Sequence, residues 1–136
     1  VLSPPGGHAV YIDAKEYLKQ IPETEYRSDT LALLIYALSG IRSVAIGNLM
    51  YAEKDVKGKI LKPAKNDFVR LAVPRNVYSL DHLLYVVNSF EKIHAVKDNL
   101  TNGVLIGEGF RNDHFDHFDC NYELASEKNF FETILK

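Results

Sequence analysis

The segment Phe68-Val69-Arg70-Leu71-Ala72-Val73, closed by Pro74, constrains the fold more than any other stretch. Proline cannot donate to a sheet ladder, so the strand stops there. Alternate strand residues point to opposite faces. Phe68, Arg70 and Ala72 therefore share one face, and Val69, Leu71 and Val73 the other. Both faces are otherwise apolar, which predicts a strand covered on both sides. A guanidinium in such a place cannot lose its charge and needs a partner. Its planar fork of donors matches a carboxylate. That carboxylate can belong to an acid elsewhere in the chain or to a ligand, and the segment alone leaves both readings open.

The rest of the pattern surrounds this strand with helices. His8 to Asp13 reads as a short strand, and Ala14 to Gln20 as a turn or two of helix stopped near Pro22. Ser28 to Leu38 reads as a helix with Gly40 just past its end. It is apolar nearly all round, which predicts burial on more than one side. Ile41 to Ile46 is a strand, and the lysine-rich Met50 to Lys65 a loop or hairpin. Ser79 caps a long helix to about Lys97, with Leu83, Val86, Val87, Phe90 and Ile93 at helical spacing. Val104 to Ile106 and Phe118 to Leu124 read as strands, and Ser126 to Leu135 as a terminal helix. The expected class is α+β, a mainly antiparallel sheet with helices packed on one face. At 136 residues the chain is expected to be a single domain, 1–136.

Composition excludes several classes. With 16 Lys and Arg against 18 Asp and Glu, there is no basic excess to mark a nucleic-acid binder. The longest apolar run, Leu31 to Leu38, is far short of the roughly 20 residues a membrane span needs. The single cysteine, Cys120, cannot form an internal disulfide, and in a strand it reads as a small buried hydrophobe. Val1 to Pro5 has neither the basic start nor the apolar stretch of a secretory leader. A chain starting at Val1 is expected to be a processed product, a domain or a fragment.

Other segments carry weaker chemistry. Asp113-His114-Phe115-Asp116-His117-Phe118-Asp119-Cys120 invites a metal reading, but its spacing fits no standard zinc pattern, so no metal is expected. Gly6-Gly7-His8 precedes a strand rather than a helix N-terminus, so it is not a phosphate loop. No nucleophile sits in a recognisable elbow.

Three ordered segments together resemble one family. They are Pro5-Gly6-Gly7-His8-Ala9-Val10-Tyr11-Ile12-Asp13-Ala14, Leu38-Ser39-Gly40-Ile41-Arg42-Ser43, and Val69-Arg70-Leu71-Ala72-Val73-Pro74-Arg75-Asn76-Val77-Tyr78, with His82 soon after. Across residues 4 to 124 the chain resembles the C-terminal part of the tryptophanase and tyrosine phenol-lyase family. The resemblance implies the small domain of a fold-type-I, pyridoxal-phosphate-dependent β-eliminating lyase. Such enzymes cleave an aromatic amino acid to pyruvate, ammonia and indole or phenol.

The resemblance also implies roles for single residues. Arg70 would hold the substrate's α-carboxylate. Ile46 stands where phenol-lyases carry a phenol-recognising arginine and tryptophanases an aliphatic residue. A histidine–phenylalanine pair of tryptophanases falls on His117 and Phe118, which makes His117 the candidate catalytic residue. The stretch from Glu108 to His117 runs longer than in the family, so His114-Phe115 is an alternative register. Ala45 replaces an acid common to both branches, and the last helix runs past the usual family C-terminus. The Schiff-base lysine, the phosphate loop and the aspartate on the pyridinium nitrogen belong to a large domain that these residues do not include. The chain alone is therefore expected to be inactive, with no cofactor-binding residue of its own. Its implied partners are an amino-acid substrate and the large domain, within a cytoplasmic homo-oligomer that binds neither nucleic acid nor membrane. The competing readings are a non-catalytic orphaned domain binding a partner or small acid, and the small domain of another pyridoxal enzyme.

Overall fold

The computed structural model describes residues 1–4, 6–108, 110 and 120–135. The elements are β1 (Ala9–Asp13), α1 (Ala14–Tyr17), α2 (Arg27–Ser39), β2 (Val44–Ile46), α3 (Asn48–Tyr51), β3 (Glu53–Lys54), β4 (Ile60–Lys62), β5 (Phe68–Ala72), α4 (Leu80–Val96), a single 3-10 turn (Lys97–Asn99), β6 (Val104–Ile106), β7 (Tyr122–Leu124) and α5 (Glu127–Ile134). The fold is α+β, as expected. The strand around Arg70 is the centre of a three-stranded antiparallel sheet, in the order β1-β5-β2. Two antiparallel pairs, β3 with β4 and β6 with β7, stand beside it.

Local chemistry sets the element ends. The Asp13 carboxylate accepts the Lys15 and Glu16 amides at 3.0 and 3.3 Å and starts α1 where β1 stops. Gly40 ends α2 with φ of 71°, a left-handed backbone that costs glycine little. Ser79 and His82 close a reciprocal cap on α4, the Ser79 amide donating to His82 Nδ1 at 3.1 Å.

Three expectations need correction. The first is the two-sided cover of β5. Val69 and Leu71 are buried, but Phe68 and Arg70 are half-buried and Ala72 is exposed. The reason is that, among the described residues, the main core forms on one side of this strand. Leu31, Leu34 and Ile35 of α2, Ile93 of α4 and Phe130 of α5 pack with Ile12, Val69 and Leu71. Second, α2 is buried all round only at its start, from Arg27 to Leu31, while Tyr36 and Ala37 are exposed near its end. Third, Cys120 lies outside β7 and is half-buried rather than buried. The α4 stripe is also only partly used. Ile93 is buried and Val86 and Phe90 half-buried, while Leu83 and Val87 stay exposed. With Val10, Ile12 and Leu71, the four residues Leu83, Val86, Val87 and Phe90 line an open apolar groove of about 920 Å³.

Candidate substrate-binding face

Residues opposed across an antiparallel ladder share a face. Tyr11, Arg70 and Val44 therefore form one row, and Asp13, Phe68 and Ile46 the next. Arg70 and Ile46 are diagonal neighbours on the half-open face, with Cβ atoms within the roughly 7–8 Å typical of such pairs. Val10, Ile12 and Leu71 alternate to the other side, so the large apolar groove lies away from Arg70.

Arg70 has no carboxylate partner among the described residues, contrary to one of the two readings of its strand. Its Nη2 instead lies 2.7 Å from His8 Nε2. Arginine can only donate, so His8 accepts with Nε2 and carries its ring proton on Nδ1. Backbone geometry places that histidine. Gly7 adopts φ of 69°, and the His8 carbonyl accepts the Val73 amide at 2.6 Å. The local pattern Gly6-Gly7-His8 speaks only to a phosphate loop and gives His8 no role beside Arg70. The available signal was position, a histidine entering the strand that pairs with β5.

The other end of the face is a tight corner. A Cβ at Gly47 would lie 1.6 Å from Asp67 Oδ1 and 2.7 Å from Ser28 Oγ. The Asp67 carboxylate thus rests on the glycine that follows Ile46. Asp67 is 1% exposed, and neither carboxylate oxygen has a donor in hydrogen-bonding geometry. Burial raises its pKa, and the nearby Ser28 hydroxyl, Asn48 amide and Lys15 charge oppose that only in part. Behind it lies Asp29, 7% exposed, which accepts the Tyr122 hydroxyl at 2.6 Å and the Ser28 hydroxyl at 3.4 Å. Burial, and then the charge of Asp67, push the Asp29 carboxyl up to about 6 against the hydrogen bonds of Tyr122 and Ser28. The Tyr122 hydroxyl is pushed well above its ordinary value, first by burial and then by Asp29. This acid pair was not legible in the sequence, since Asp29 reads as an ordinary helix start and Asp67 as a loop residue. Gly47→Ala should lower stability by at least roughly 1–3 kcal/mol, the usual cost of overpacking, read as a fall in the urea midpoint.

His117 and Phe118 lie outside the described residues, as does the alternative pair His114-Phe115. Among the described residues no group of three or more His, Cys, Asp or Glu could hold a metal, and no helix is long and apolar enough to cross a membrane. Pyridoxal phosphate needs a lysine for its Schiff base and a partner for its ring nitrogen. No residue of the Arg70 face is a lysine, and Lys15 spends its ammonium on the Ala64 and Lys65 carbonyls. The Arg70 face thus offers no lysine for that Schiff base.

No family model matches the chain. It is 40% identical to a tryptophanase of Rhodobacter capsulatus over 123 residues, 90% of this chain and 26% of that protein. It is 41% identical to a tryptophanase of Salinibacter ruber over 100 residues, 74% of this chain and 21% of that protein. A tyrosine phenol-lyase of Pasteurella multocida is 36% identical over 100 residues, 74% of this chain and 22% of that enzyme. The chain spans about a quarter of the length of the relatives it matches.

Proposed function

Because the chain belongs to the β-eliminating lyase family and corresponds to the C-terminal domain of tryptophanase-like enzymes, we propose that residues 1–136 form one domain that clamps the substrate of such a lyase. The observation that carries this reading is Arg70. It is a half-buried guanidinium at the centre of a sheet, partnered by a neutral acceptor and by no acid among the described residues. A guanidinium held that way keeps its remaining donors for an anionic ligand. In this reading Arg70 takes the α-carboxylate of an amino acid, and His8 fixes the guanidinium from behind. Ile46, one row along, packs against an apolar side chain such as the indole of tryptophan. His117 and Phe118 complete the leaving-group side, with His117 moving a proton to the departing carbon. Pyridoxal phosphate belongs to the larger part of the enzyme, which this chain does not include. The products are pyruvate, ammonia and indole, made in a cytoplasmic homo-oligomer.

Kinetics of the assembled enzyme test the assignment. His117→Phe should shift preference between indole-bearing and smaller leaving groups while sparing substrates that leave without protonation. If His114→Phe is selective and His117→Phe neutral, the alternative register is the correct one. His8→Ala should raise KM for every amino acid by roughly ten- to a hundredfold, the worth of a hydrogen bond to a charged group. His8→Gln, which keeps an acceptor, should restore most of it. Equal loss in both variants would remove His8 from the site.

A further inference from the structure

The corner at Gly47 holds more charge than its packing tolerates. The Ser28 hydroxyl has a single proton and donates it to Asp29 at 3.4 Å, which leaves Asp67, against the same glycine, with no side-chain donor in hydrogen-bonding geometry. Both acids are buried, and carboxylates sharing one site cannot both ionise cheaply. From α2 itself come the backbone amides of Ser28 and Asp29, which oppose the burial only in part. From α1 comes Lys15, whose ammonium is bonded to two carbonyls. From α3 comes only the Asn48 amide, and from β7 the Tyr122 hydroxyl, with Cys120 beside it. The corner also has room to move. A cavity of about 360 Å³, lined by Asp29, Ser43, Val44, Ala45, Leu49 and Tyr122, adjoins it, and the buried Ser43 hydroxyl has no partner.

We propose that Asp67, with Asp29 behind it, is a positioning residue for Ile46: one proton held between the two carboxylates lets Asp67 rest on Gly47, and its loss drives the corner, with Ile46, away from the strand of Arg70. The specificity role of Ile46 rests on the lyase reading, whereas the motion of the corner does not. A carboxylate pressed on a Cα has only two ways to relieve repulsion. It can take a proton, or it can push the glycine and its neighbours toward the cavity. Ala45 and Ile46 are those neighbours, and β2 is an edge strand that, among the described residues, has a ladder partner only in β5 and packs on α2.

Nuclear magnetic resonance on the chain itself tests the motion. Carboxyl carbons of Asp29 and Asp67 and the amides of Ala45, Ile46 and Gly47 are followed between pH 4 and 8, with the Ile93 amide as a remote reference. The three corner amides should move with the carboxyl midpoint of the pair, while Ile93 stays fixed. In Asp29→Asn, the Asp67 midpoint should fall and the corner amides should lose their dependence on pH. The wild-type titration needs no variant, so a misfolded mutant leaves the test intact. Corner amides that stay still while the carboxyls titrate would overturn the proposal, as would two independent titrations in the ordinary carboxylate range. In the assembled enzyme, the ratio of kcat/KM for large against small leaving groups should change with pH in the wild type and be flat in Asp29→Asn. If the amides move and that ratio does not, the corner device stands and the specificity role of Ile46 fails.

Discussion

Arg70→Ala in the assembled enzyme should cut kcat/KM for every amino-acid substrate, by the roughly 2–5 kcal/mol lost when one member of a buried, hydrogen-bonded charge pair is removed. That is about thirty- to several-thousandfold, since each 1.4 kcal/mol is a factor of ten. The loss should not depend on the leaving group, because the carboxylate is common to all substrates. Arg70→Lys should recover little, as an ammonium cannot reproduce the planar fork. The fold should survive both changes, because Arg70 is only half-buried and, among the described residues, its one side-chain partner is the His8 ring. Unchanged circular dichroism with lost activity is the expected pair of results. Full kcat/KM in Arg70→Ala would remove the main support of the clamp.

The second large effect is on stability. Asp29 ionises near 6 in the folded chain, against about 3.9 in an unfolded one. Its folded pKa is raised, so the folded state keeps a proton that the unfolded state has already released. Below about pH 4 both states are protonated and Asp29 has no effect. Between roughly pH 4 and 6 stability falls as pH rises, and above that the whole cost is present. Two units at 1.36 kcal/mol each give a cost on the order of 3 kcal/mol at neutral pH. Asp67 is raised as well and adds to the same slope. Urea unfolding at pH 4.5 and 7.5 should show this decline, and Asp29→Asn should remove much of it. The substituted amide can still accept from the Tyr122 hydroxyl, so at pH 7.5 the variant should be the more stable protein. A variant less stable than wild type at that pH would contradict the assigned cost.

The elements were legible where periodicity and punctuation agreed. Pro74 marks the end of β5, Gly40 the end of α2, and Ser79 the start of α4, each because of its own backbone chemistry. The position of Arg70 on a central strand was also readable, because only a central strand carries such an apolar run. What alternation could not show was that β5 is covered on one face by its own chain. An apolar residue reads the same whether it meets this chain's helices or the rest of a larger enzyme. The Leu83 and Val87 side of α4 misleads in the same way, being helical in spacing yet exposed. Asp29, Asp67 and His8 were invisible for another reason. Their significance comes from contacts across 20 to 93 positions of sequence, as between Gly47 and Asp67, His8 and Arg70, or Asp29 and Tyr122. No local pattern records those.

The register of the main sheet sets an order of assembly. β1 pairs with β5 from Ala9 opposite Ala72 to Asp13 opposite Phe68, and among the described strands β2 also pairs only with β5. Both edge strands thus wait for the same late segment, and β1 must close a loop of roughly sixty residues to meet it. Loop closure of that length slows folding more than it weakens the product. On a ribosome, a nascent chain that has emerged only as far as residue 67 owns the helical turns of α1 and α2 but no partner for either strand. Until Phe68 to Ala72 emerge, β1 and β2 present unpaired backbone to whatever else is in reach, and a truncation anywhere upstream of β5 makes that exposure permanent.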